Sequence, residues 1–271
     1  MQIAFEKNDF KRRFTSMLKV DLKRMLISPF SYIMVGIALA VPILILVMTT
    51  MMDGSVSVNP QTGKETVMEG FKNVWQILGS TSSASADPSK AMSMDLVSMC
   101  NINMMYFAVA VLVCVFVADD FRSGYAKNLF TVRANKIDYV ASKSIVCFLG
   151  GAVMILAFVI GSLLGGKFAG LPFVMEGFDV VNLITSVITK MVLVGIFVPI
   201  YLIMSVIAKS RLWLSILLSL GVGMFLFNIA PMVSPLDATA VHFVLALAGS
   251  LLFSVGLGAV SNLILKKTAL I

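Results

Sequence analysis

The residues of this chain that are suited to chemistry do not assemble into a familiar constellation. There is one histidine, His242, and no H-E-x-x-H pattern, so an intramembrane metalloprotease has no residues to build its zinc site. No long apolar stretch carries an acid in its middle third, which removes an aspartyl pair, while serine chemistry stays open on composition alone. Thr62, Gly63, Lys64 and Glu65 contain a Gly-Lys pair, but the upstream glycine and the following Ser or Thr of a phosphate-binding loop are missing. Cys100, Cys114 and Cys147 lie in or beside apolar stretches without C-x-x-C spacing and read as small buried hydrophobes. Lys190 is the one ionisable residue well inside an apolar run. Its two readings are a side chain that snorkels to the nearer surface and a contact for substrate or lipid.

The elements that would position these residues are membrane spans. The chain is 59% hydrophobic and 13% charged, whereas a soluble domain is roughly half apolar and about a quarter charged. Apolar stretches run over 31–52, 97–118, 144–165, 183–208, 212–230 and 241–265. Each is near the length a helix needs to cross about 30 Å of hydrocarbon, and the expected fold is an all-α membrane protein of six spans within 31–265. The first stretch follows thirty polar and basic residues and has no small-residue cleavage site after it, as in a retained span rather than a signal peptide.

Basic residues resist translocation, so their distribution orients the spans. Sixteen of the twenty-one, with six acids, fall in the N-terminal segment, the loop 119–143, the turn at Lys209 and Arg211, and the tail 266–271. The other side holds five basic residues and eight acids. The first side is expected to be cytoplasmic, with both termini, and the segment 53–96 extracytoplasmic. Within that segment 68–78 (MEGFKNVWQIL) has helical apolar spacing and a tryptophan, which suggests a helix on the outer interface.

Two cytoplasmic elements stand out. In the N-terminal segment 1–30, Phe10, Phe14, Met17, Leu18, Leu22, Met25 and Leu26 fall on one helical face, and Lys11, Arg12, Arg13, Lys19, Lys23 and Arg24 mostly on others. Such a basic amphipathic helix suits the inner membrane surface, either as a simple anchor or as a holder of a cytoplasmic partner. In the loop 119–143, Phe121, Tyr125 and Leu129 recur every four residues before a basic break at Arg133 and Lys136. That pattern reads as a short amphipathic helix whose aromatics face the cytosol or pack on the chain's own helix ends.

Helix-packing signals are clearer than chemical ones. Ser215, Ser219 and Gly223 repeat every four residues, as do Ser250, Ser254 and Gly258, and Gly161 pairs with Gly165. Small residues at this spacing let helices approach closely, within the chain or between protomers. Asn101, Asn103, Asn228 and Asn262 at membrane depth should face protein or a pathway rather than lipid, and the first three, with Lys190, are the candidates for a translocation lining.

With these features the sequence resembles the permease subunits of ABC type-2 exporters, over essentially its whole length. Those proteins have six spans, an amphipathic helix before the first, and a loop after the second that runs acid, Gly, a Lys or Leu stretch, a basic break and a Lys entering the third span. The matching residues are Asp119 or Asp120, Gly124, Lys127 with Leu129, Arg133 with Lys136, and Lys143. Phe121, Arg122 and Tyr125 fall inside the same loop. The pattern is degenerate, and it departs here in carrying Asp where many members carry Glu, and in the long 53–96 segment.

The resemblance implies a coupling helix, about 120–131, docked in a cleft on a separate cytoplasmic ATPase subunit. Two such ATPases, holding ATP and magnesium, would drive a pair of permease chains, identical or homologous, while this chain binds no cofactor itself. It also implies a bacterial cell-membrane location and an amphipathic cargo such as an antimicrobial peptide, antibiotic or lipid. Membrane lipid is then a partner and nucleic acid is not. Family members pair partly through the first and fifth spans, which makes Ser215, Ser219 and Gly223 candidates for the protomer contact. The rival classes are an intramembrane enzyme and an ion-coupled secondary transporter, and the latter would need membrane carboxylates or paired broken helices that are not evident here.

The orientation has a direct check. In a cysteine-free background, Thr62→Cys should react with an impermeant maleimide in intact cells and Ala134→Cys should not. The opposite pattern would invert the topology.

Overall fold

The computed structural model describes residues 2–58, 65–67, 70–81, 100–132, 136–209, 211–227 and 230–267. It is almost wholly helical: α1 (Gln2–Ile27), α2 (Pro29–Met51), α3 (Met105–Arg122), α4 (Tyr125–Val132), α5 (Ile137–Ala169), α6 (Val180–Ala208), α7 (Leu212–Phe227), the single turn α8 (Ala230–Val233) and α9 (Ala240–Lys267). A short antiparallel hairpin pairs β1 (Val56–Val58) with β2 (Glu65–Val67), with Ser57 opposite Thr66. Two 3-10 turns, Val74–Leu78 and Ile102–Met104, complete the set.

Among the described residues, five helices are long and apolar enough to cross a membrane: α2, α3 with its preceding turn, α5, α6 and α9. The expected fifth span, 212–230, is α7, whose 16 residues rise only about 24 Å at 1.5 Å per residue. The expected third span, 144–165, understates α5, which starts two turns earlier and continues to Ala169. Its first two turns, IDYVASK, look polar in sequence, yet Asp138, Ser142 and Lys143 are buried there by other helices. The second span likewise runs on past 118 through Asp119 and Asp120 to Arg122.

The α1–α2 break is local chemistry. Pro29 occupies the first position of α2, and a proline disfavours the helical region for the residue before it. Ser28 is accordingly extended, with φ −65° and ψ 120°. The helix α1 then lies against the start of α5, burying Met17, Asp21 and Met25 at four-residue intervals.

α5 and α6 form the spine, with α3 beside both, α2 against α5, α9 against α6, and α7 against α3 and α6. Small residues set these approaches. A Cβ on Gly161 would fall 2.2 Å from the Leu39 carbonyl oxygen, and one on Gly165 would fall 2.8 Å from the Ile43 Cα, so α2 and α5 meet backbone to backbone. The Ser250 and Ser254 row packs α9 on α6 in the same way, with Ser254 donating to the Gly195 carbonyl at 3.1 Å. Outward faces are strongly apolar, including Ile33, Leu44, Val181, Leu245 and Leu252, in keeping with a lipid-facing surface.

The end opposite α1 is capped by residues 70–81. The expected interfacial helix over 68–78 is instead the 3-10 turn Val74–Leu78, while Met68 and Glu69 lie outside the described residues. Phe71, Val74, Trp75, Ile77 and Leu78 are all buried, because the turn drives Val74 into the gap left by Gly166. The Val74 amide donates to the Pro172 carbonyl at 3.2 Å, and Trp75 meets Phe173 edge-on at 5.8 Å.

Gly161→Ala should therefore cost about 1–3 kcal/mol by forcing α2 from α5, whereas Gly36→Ala, with open space around it, should be close to neutral. Thermal unfolding of the two variants in one detergent checks this, and equal melting points would contradict the backbone contact.

Candidate functional site

The most concentrated chemistry lies at the basic end, where α1, α3, α4 and α5 converge. α3 ends at Arg122, Ser123 donates back to the Asp119 carbonyl at 2.6 Å, and Gly124 turns the chain at φ 74°. That left-handed backbone is open to glycine at no steric cost and strained for most side chains. The Asn128 amide then donates to the Gly124 carbonyl at 3.0 Å and α4 begins.

Above this turn sits a buried ionic cluster. Lys143 of α5 has no exposure, and its Nζ lies 2.9 Å from Asp21 Oδ1 of α1 and 2.8 Å from Asp120 Oδ2 of α3. Both carboxylates are fully buried as well. The Arg24 guanidinium closes the cluster at 2.5 Å from Asp120 Oδ1 and 3.5 Å from Asp119 Oδ2. Tyr139 donates at 2.8 Å to Asp120 Oδ2, the oxygen that also meets Lys143, and Ser142 donates to Asp21 Oδ2 at 2.6 Å. Two buried carboxylates thus face two cations, with the exposed Asp119 at the cluster's edge. Opposite charge at contact distance is what makes burial of charge tolerable.

Aromatic faces enclose the cations. Lys143 Nζ stands 3.9 Å above the Phe116 ring, and the Arg24 guanidinium lies 4.3 Å from the Tyr125 ring centre. Burial alone would weaken the Arg24 cation, but Asp120 and Asp21 outweigh it and lift its pKa above the ordinary value. Burial also raises the Tyr125 hydroxyl, with Asp21 adding to the effect, so the phenol stays neutral. A separate pair at the same end, Arg13 to Asp138 at 3.6 Å, ties α1 again to the start of α5.

This geometry rearranges the residues expected to couple to an ATPase. Asp119 and Asp120 belong to the last turn of α3 rather than to the short helix, and Asp120 is sealed inside. Phe121, Tyr125 and Leu129 are part-buried, Phe121 and Leu129 against the chain's own core and Tyr125 against Arg24. The physical reason is that Arg24 and the ends of α3 and α5 offer an apolar and cationic seat within reach of α4. What α4 presents outward is Lys127, Asn128 and Thr131. Arg122 is exposed beside the turn, and Arg133 lies outside the described residues.

Of the expected translocation residues, Asn101, Asn103 and Lys190 share the end opposite α1, where the Tyr106 hydroxyl donates to the Lys190 carbonyl at 3.1 Å. At that end the Asn101 carboxamide caps the 3-10 turn by accepting from the Asn103 amide at 2.9 Å. Asn228 lies outside the described residues. Lys190 does not snorkel: it is 1% exposed, and its Nζ donates to the carbonyl and hydroxyl oxygens of Ser234. The hydrogen-bond acceptors supplied by the α8 turn, whose register brings Ser234 over α6, keep it inside. Ser215 and Ser219 are likewise buried within the chain, at 2.7 Å from Ser205 Oγ and 3.2 Å from Cys114 Sγ, and Gly223 backs onto Tyr201. Within the chain that stripe is covered by α3 and α6. His242 accepts the Thr239 amide at 3.2 Å and caps α9.

Asp21, Arg24 and Lys143 were the residues hardest to single out in sequence. One signal was present: Asp21 is four residues from both Met17 and Met25, so it is an acid placed on the apolar face of α1. The sequence matches no known family model, and neither curated proteins nor solved structures give a match to the chain.

Lys143→Met should destabilise the fold by about 3–5 kcal/mol, because Asp21 and Asp120 are left buried against Arg24 alone. Adding Asp21→Asn should return part of that loss, since the second substitution removes the orphaned charge. Melting temperatures of the two single variants and the double variant give the coupling, and strict additivity would deny a shared cluster.

Proposed function

We propose that the chain is the permease subunit of an ABC exporter. In this reading it has six spans with both termini in the cytoplasm, α7 with α8 supplying the fifth. It pairs with a second permease chain, identical or homologous, and with two cytoplasmic ATPase subunits that bind ATP and magnesium. The cargo is amphipathic, in the class of peptides, antibiotics and lipids.

The single observation that carries the reading is the seating of α4 on the ionic cluster. A short helix that only covered helix ends would need apolar contact and nothing more. Here Tyr125 of α4 faces Arg24, Arg24 binds Asp120 of α3, and Asp120 binds Lys143 of α5. Displacement of α4 by a partner is thereby transmitted to α1, α3 and α5 together, as a mechanical coupling element requires. Its outward Lys127, Asn128 and Thr131 supply a polar, cationic face of the kind that docks on a soluble protein. No described residue of the chain offers a phosphate-binding loop, so the energy source in this reading is the partner.

The test is co-purification. A tagged chain expressed from its native locus should retain a protein carrying G-x-x-x-x-G-K-[ST], and Lys127→Glu with Thr131→Glu should reduce that retention by about tenfold or more while melting like the wild type. If no nucleotide-binding protein is retained, or if the double variant retains it equally, the coupling role fails.

A further inference from the structure

A cavity of about 260 Å³ opens at the basic end, beside the ionic cluster and between α1, α2, α3 and α7. Its composition is divided. Phe30, Val115, Phe116 and Leu212 form an apolar wall, and Arg24, Asp119 and Arg122 form a charged rim. Arg24 is committed to Asp120 at 2.5 Å. Arg122, exposed and in no ion pair among the described residues, is the cation left for a ligand.

The cavity's depth identifies the occupant's class. α2 begins at Pro29 and α7 at Leu212, both at this site, while α3 leaves it at Arg122. The site therefore lies where spans pass from hydrocarbon to headgroups. Two helices start at its lining, so the positive ends of their dipoles add to the arginine field. Ser28 makes no side-chain bond to the first turn of α2, which keeps that end uncapped. Next to the cavity Tyr32 and Trp213 are 65% and 66% exposed, as aromatic belt residues are, and Ile33 and Leu217 continue an exposed apolar surface along α2 and α7.

We infer that this cavity binds an anionic phospholipid, its phosphate held at Arg122 and its acyl chains laid against Phe30, Phe116 and Leu212. A nucleotide or free phosphate would use the arginine rim but has no use for an apolar wall that opens onto lipid. A zwitterionic lipid would fill the wall but gain less from the charge. Occupancy would wedge the hinge at Ser28 and bear on Arg24, so lipid charge and the ionic cluster are neighbours in one structure. The inference rests on membrane placement alone and stands apart from the exporter reading.

Native mass spectrometry of the full chain in detergent, titrated with phosphatidylglycerol and phosphatidylcholine, tests it. The wild type should retain phosphatidylglycerol about fivefold more tightly, and millimolar inorganic phosphate should not displace it. Arg122→Gln should abolish the preference with little change in melting temperature, because the side chain is exposed and makes no ion pair among the described residues. Val115→Trp, which fills the cavity, should lower retention of both lipids. Equal retention of the two lipids by the wild type, a preference that survives both substitutions, or displacement by phosphate would each overturn the assignment.

Discussion

Lys143 cannot be buried alone. An ammonium group with no exposure, set beside helices that read as membrane spans, requires opposite charge and hydrogen bonds at contact distance. Asp21 and Asp120 provide the charge from two other helices, and Arg24, Tyr139 and Ser142 complete it. Because the partners come from α1, α3 and α5, satisfying one side chain fixes the relative position of three helices at the basic end. The course of α1, the burial of α5's first two turns and the seat of α4 all depend on that requirement.

The opposite end is organised by a different solution to the same problem. Among the described residues no carboxylate lies at contact distance from the buried Lys190, which is held by the Ser234 carbonyl and hydroxyl. Gly79 brings the capping segment to it, since a Cβ there would lie 3.8 Å from its Nζ. Ser80 accepts the Leu236 amide at 2.9 Å, joining that segment to the connection between α8 and α9. One end is thus locked by ion pairs between helices, the other by hydrogen bonds from a lysine to a hydroxyl and to irregular backbone.

Between the ends, approach distance is governed by missing side chains. Gly161 and Gly165 bring α2 onto α5, and Gly195 admits the serine row of α9. Lipid tails are as apolar as leucine, so such close packing and buried hydroxyl bonds, rather than exclusion of water, hold these helices together. The Ser205, Ser215, Ser219 and Cys114 group is a small polar node of this kind.

The sequence by itself determined that this is a helical membrane protein, where its apolar segments lie, and that a basic amphipathic helix precedes them. Those properties are one-dimensional: hydrocarbon forces each spanning segment to satisfy its own backbone, so run length and composition are enough. The glycine and serine rows were legible for the same reason, because helical periodicity alone puts them on one face. The tertiary structure decided everything that depends on a partner distant in sequence. Lys143 and Asp120 looked like loop residues until α1 supplied Asp21 and Arg24 from about a hundred positions away. Lys190 looked able to reach the surface until Ser234 was placed over it. The fate of a charged side chain turns on the partners within about 4 Å, and spacing along a chain does not record them.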